Sequence, residues 1–173
     1  MPVLTLSEAV AADLISEEIA ADRRAGLAPF EPLIGSWDLR YTYRKASGER
    51  LEGTGYVLFG WGLRASALVD IWSFDSGDVG TTIRYYDGVI DRIRSTWICP
   101  ARNATIAFVG RLLDGRIVLN ANLSDPPRRL RWSFVNITEQ RFSWIGETSD
   151  DGMTWLQVQE IEGTRRHLHV GIS

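Results

Sequence analysis

Four residues in the later, strand-like part of this sequence combine polar chemistry with apolar surroundings: Arg64, Asp70, Tyr85 and Glu147. On a strand, Asp70 shares a face with Leu68, Trp72 and Phe74, and Arg64 falls on that same face as a partner for its carboxylate. A buried carboxylate must be paired or hydrogen-bonded. An aspartate among aromatics is therefore either half of a structural ion pair or a group held for a ligand. Arg84 and Tyr86 share one face and Ile83 and Tyr85 the other, so one tyrosine points inward, and the alternation leaves open which. Glu147 is in phase with Ser143 and Ile145 rather than with Trp144, which suits an outward charge as well as a catalytic one. Together the four are the candidate catalytic groups of a cofactor-independent cyclase, isomerase or hydratase acting on a natural-product-like intermediate. Such an enzyme works by holding a reactive conformer while a few buried polar groups stabilise charge.

The alternative is a binding module, and its candidates are aromatic. Seven Trp, six Phe and five Tyr fall almost entirely in the strand-like region. Tyr41 alternates in phase with Trp37, Leu39 and Tyr43, Trp72 with Asp70, and Trp97 with Ile93 and Ser95; Trp132 and Phe134 share a face, as do Phe142 and Trp144. Pointing inward, they wall a chamber for a small, largely apolar, aromatic or polycyclic molecule; packed together, they make a solid core. A cavity of roughly 300 Å³ or more would separate the two.

Other chemistries lack their signatures. The only histidines, His167 and His169, form a lone His-x-His, too few ligands for a closed zinc site. No Gly-x-Ser-x-Gly elbow, Gly-x-Gly-x-x-Gly turn or Walker loop occurs. No metal and no cofactor is expected. A net charge of -3 gives no electrostatic reason to expect nucleic acid as a partner. The single Cys99 rules out an intramolecular disulfide and suggests a reducing compartment. With no basic leader and no run near the roughly 20 apolar residues of a membrane helix, the expected location is cytoplasmic, away from membranes. Oligomeric state is not legible.

The elements that position these groups follow from periodicity. Thr5 and Glu8 fit a capping box, Val10, Leu14, Ile15 and Ile19 recur at helical spacing, and Gly26 stops the run. This amphipathic N-terminal α-helix either packs on the domain or closes over it as a lid. From Gly35 the period becomes two, with turn signals every eight to twelve residues. The expected strands cover 37–44, 50–59, 63–74, 81–86, 89–98, 104–111, 116–123, 128–137, 141–149 and 153–165, with Gly60-Trp61-Gly62 turning the chain into the third. About ten sequential antiparallel strands close most simply into an up-and-down β-barrel, since closure removes exposed edges. The organisation expected is a helical segment at 1–29, an all-β barrel at 30–166 and a tail at 167–173.

Phe30-x-x-Leu33-Ile34-Gly35-Ser36-Trp37 resembles the Gly-x-Trp opening of the calycins, the lipocalin and fatty-acid-binding superfamily. The resemblance implies that Trp37 seals one barrel end with a late arginine, Arg165 or Arg166, packed over it. The runs Gly62-Leu63-Arg64-Ala65, Gly80-Thr81-Thr82-Ile83-Arg84-Tyr85-Tyr86-Asp87, Arg131-Trp132-Ser133-Phe134 and Gly146-Glu147-Thr148-Ser149-Asp150-Asp151-Gly152-Met153-Thr154-Trp155 look like an uncharacterised bacterial lipocalin-like family over about residues 30 to 166. That likeness brings a fold and no activity. Nitrobindin-like haem barrels also have ten strands and a C-terminal proximal histidine, which makes His167 or His169 a further alternative. The glycine-rich, proline-containing segment those proteins carry after Gly-x-Trp is missing here.

Overall fold

A computed structural model describes residues 24–166. The chain enters through a helical turn, Arg24–Leu27, and a 3-10 helix, Ala28–Leu33. The helix expected before Gly26, and the tail with His167 and His169, lie outside the described residues. Gly26 does not stop the helical turn, which runs through it to Leu27. Its place is set by packing: a Cβ there would lie 2.0 Å from the Tyr86 ring.

Ten antiparallel strands follow: β1 Gly35–Arg44, β2 Arg50–Gly62, β3 Ala67–Phe74, β4 Val79–Asp87, β5 Arg92–Cys99, β6 Ala104–Leu113, β7 Arg116–Asn122, β8 Arg129–Val135, β9 Arg141–Ser149 and β10 Leu156–Arg165. Each pairs with its neighbours in sequence, and β1 pairs with β10, so the sheet closes into a barrel. The alternation read from the sequence sets its inside. Tyr41 of β1 pairs with Ile161 of β10, which pairs with Trp144 of β9, which pairs with Phe134 of β8, an unbroken inward row. Inward glycines make room for these rings. Gly163 stands opposite Phe142, and a Cβ there would meet the ring at 2.2 Å.

Several boundaries differ from the expected ones, and three of the shifts have a clear local reason. The chain does not turn at Gly60-Trp61-Gly62; β2 runs through these residues and turns at Leu63, Arg64 and Ala65, all with positive φ. Three adjacent non-glycine residues in that conformation carry no turn signature. Strand β5 begins at Arg92 rather than Val89, because the Asp87 carboxylate accepts from the Val89 amide at 3.0 Å and prolongs the turn. Strand β10 begins at Leu156 rather than Met153, because Asp151 accepts from the amides of Met153 (2.7 Å) and Thr154 (2.8 Å).

One end of the barrel is sealed. Leu27, Phe30, Leu33 and Trp37 are fully buried beneath it, and the Trp37 indole donates to the Leu33 carbonyl at 2.6 Å. The Arg165 guanidinium lies 4.1 Å from the Trp37 ring centroid and donates to the carbonyls of Ile34 (2.8 Å), Pro32 and Glu139. Arg166 goes elsewhere: it pairs with Asp38 and lies over Tyr56. Above this floor Trp37, Phe59, Phe134 and Phe142 pack as a plug, with Trp37 and Phe142 edge to face at 5.0 Å.

Candidate functional site

The plug fills the sealed half of the barrel and leaves the other half hollow. The cavity there has a volume of about 200 Å³, below the roughly 300 Å³ that would by itself separate a chamber from a solid core. Its walls are aromatic: Trp72, Trp97, Trp132 and Trp144, with Tyr41 and Phe74. Trp132 meets Trp144 edge to face at 5.2 Å and Trp97 at 5.9 Å, so these rings brace one another. Inward-facing Gly80 makes the space that Trp97 occupies, since a Cβ at that position would lie 2.1 Å from the indole.

At the inner end lies an ion pair between adjacent strands. Asp70 on β3 pairs in register with Thr82 on β4, which brings the Arg84 side chain within reach of the Asp70 carboxylate. The Asp70 carboxylate accepts from the Trp72 indole at 2.8 Å, the Thr82 amide at 2.9 Å and Arg84 Nη1 in a short contact. Three donors from the protein itself thus engage the Asp70 carboxylate. Arg84 lies between the rings of Phe30 and Phe134, 5.6 and 5.5 Å from their centroids, and borders the cavity together with Thr82. Three buried polar atoms in this region have no hydrogen-bond partner among the described residues: Thr82 Oγ1, Arg84 Nε and Ser95 Oγ.

The rim is polar. Arg102, in the turn after β5, donates through Nε to Asp78 at 2.9 Å; this bond holds the Asp78 carboxyl below its usual range and raises the arginine. Tyr41 donates to Asp75 at 3.0 Å, and burial followed by that carboxylate raises the phenol. The Asp75 carboxyl is lowered chiefly by the Thr54 amide at 2.7 Å. Tyr43, Leu51, Ser76, Gln159 and the buried Cys99 also line the cavity.

Of the four proposed catalytic groups, Asp70 alone faces the interior. Arg64 sits in the exposed β2–β3 turn, and the expected Arg64–Asp70 pair is replaced by Arg84–Asp70. Tyr85 points outward and is 46% exposed, while Tyr86 takes the inward phase near the sealed end. Glu147 lies on the outer wall, bound by Arg131 at 2.7 and 2.8 Å, with Arg131 stacked on Trp155. Among the aromatic candidates, Tyr41, Trp72, Trp97, Trp132 and Trp144 reach the cavity, whereas Phe134 and Phe142 belong to the plug. The sequence reading missed Thr82, Arg84 and Arg102. Thr82 and Arg84 are in phase with Gly80, and that alternation was the available signal.

Among the described residues, no cluster of three or more His, Cys, Asp or Glu side chains is arranged to hold a metal ion. No described helix is long and apolar enough to cross a membrane. No family model matches the chain, and no curated protein matches it. Solved structures do. Rv2717c from M. tuberculosis superposes with a TM-score of 0.60 at 16% identity, covering 87% of this chain and 100% of its own. The S-type phycobiliprotein lyase CPES from Guillardia theta superposes at 0.57 and 12% identity, covering 83% of this chain and 94% of its own. At these identities the likeness speaks for the fold alone, a closed antiparallel barrel of ten strands.

Proposed function

We propose that this protein binds a small, largely apolar aromatic molecule in the hollow half of the barrel. The observation that carries the reading is the cavity of about 200 Å³ with four tryptophans among its walls. A lined apolar cavity of roughly 150 Å³ already takes benzene, so this one suits a mono- or bicyclic guest better than a polycyclic one. Tryptophan walls supply edges and faces for stacking at little entropic cost, and a bicyclic guest loses its hydration shell on entry. A phycobiliprotein lyase stands among the structural neighbours, which is in keeping with a ligand held in the barrel.

Tryptophan emission titrated with indane tests this reading. We expect a saturable change that is lost when Trp132→Ala and Trp144→Ala remove two walls. A linear, non-saturating response in the native protein would contradict it.

The enzyme alternative loses its expected machinery, because Arg64, Tyr85 and Glu147 face away from the cavity and Asp70 is engaged by three donors.

A further inference from the structure

The unpartnered polar atoms at the inner end of the cavity indicate what the guest must carry. Thr82 and Arg84 are each 1% exposed and Ser95 is 2% exposed, yet Thr82 Oγ1, Arg84 Nε and Ser95 Oγ have no hydrogen-bond partner among the described residues. Thr82 and Arg84 border the cavity, and Ser95 stands directly across from Arg84 on the neighbouring strand. Buried polar groups are almost always satisfied, and leaving one unpaired is costly. Three in one patch, two of them on the wall of an aromatic chamber, form a polar end to an otherwise apolar site. An Arg Nε–H can only donate, and a threonine or serine hydroxyl can donate or accept, so the complementary group is an oxygen that accepts.

Charge narrows the class further. Arg84 is already neutralised by Asp70, and at the rim Arg102 is neutralised by Asp78. A carboxylate placed at the inner end would be a second anion beside a pair already balanced, desolvated without compensation. A neutral carbonyl or hydroxyl brings no such penalty. Resting on the binding reading above, we infer that the ligand is a neutral aromatic ketone, aldehyde or alcohol, bound with its rings among the tryptophans and its oxygen towards Thr82 and Arg84. Selection against aromatic acids is built into the same residues.

Calorimetric titration of the whole chain with indane, 1-indanone and indane-1-carboxylate tests this, since the three share a ring system and differ in the polar group. We expect 1-indanone to bind about tenfold more tightly than indane, the order of one well-made hydrogen bond, and the carboxylate to bind more weakly than the ketone. Thr82→Val, which keeps the side-chain shape, should bring 1-indanone down to the affinity of indane. Equal affinities for indane and 1-indanone, as would follow if a fixed water satisfied these atoms, would overturn the inference and leave the binding reading standing. Tightest binding by the carboxylate would overturn it as well. Binding of none of the three would remove both.

Discussion

Asp70 and Arg84, each 1% exposed, form an ion pair that joins β3 to β4 at the boundary between the aromatic plug and the cavity. Breaking one half of such a pair leaves the other charge buried alone. Asp70→Asn should therefore cost about 3–5 kcal/mol in urea unfolding. The double substitution Asp70→Leu with Arg84→Met, which replaces both charges by apolar groups, should cost less than Asp70→Asn by itself. A single variant within about 1 kcal/mol of the native protein would show that the pair is not buried as described.

The two late arginines should separate cleanly. Arg165 stacks on Trp37 and donates to carbonyls of the entering chain, whereas Arg166 makes an exposed pair with Asp38. We expect Arg165→Ala to lower stability by about 2 kcal/mol or more and Arg166→Ala by about 0.5 kcal/mol or less. Thermal and urea unfolding of the two variants measure it; equal losses would contradict the assignment of Arg165 as the barrel seal.

Gly80 controls the shape of the cavity. A Cβ at that position would lie 2.1 Å from the Trp97 indole, so Gly80→Ala must push that ring aside. We expect guest binding to fall at least tenfold by calorimetry while the barrel still folds. Unchanged affinity in a folded variant would mean that Trp97 is not a wall of the site.

Acid should release the β9–β10 loop late. The Asp151 carboxyl is lowered to about 2 by the amides of Thr154 and Met153 and by the Ser149 hydroxyl. Its folded value lies below the ordinary aspartate value of 3.8, so its contribution to loop order is present above about 3.8 and fades as pH falls towards about 2. Carbon-detected NMR titration of the carboxyl should give a midpoint near the lower value. A midpoint near 3.8 would show that the amides do not hold it.

Much of this barrel is legible in the sequence because strand alternation and turn residues are local signals. The inward set Trp37, Leu39 and Tyr41, the row Leu130, Trp132 and Phe134, and the number of strands all follow from period two. Polar partners are less legible because they depend on which strands pair and in what register. Asp70 and Arg84 meet only because β3 and β4 pair with Asp70 opposite Thr82. Arg64 looked like the partner because Gly60-Trp61-Gly62 reads as a turn, whereas the chain turns on three non-glycine residues with positive φ. Plug and cavity share one alternation too. Phe142 and Trp144 are in phase, yet one fills the barrel and the other lines the space above it.

The seven tryptophans supply the most direct test of a guest in the hollow half. With 1-indanone at saturation, the indole N–H resonances of Trp72, Trp97, Trp132 and Trp144, which line the cavity, should shift. Those of Trp37 at the sealed end, of Trp61 near the end of β2, and of Trp155 stacked on Arg131 should stay in place. No saturable shift of the four lining indoles, or shifts confined to Trp155, would contradict the account.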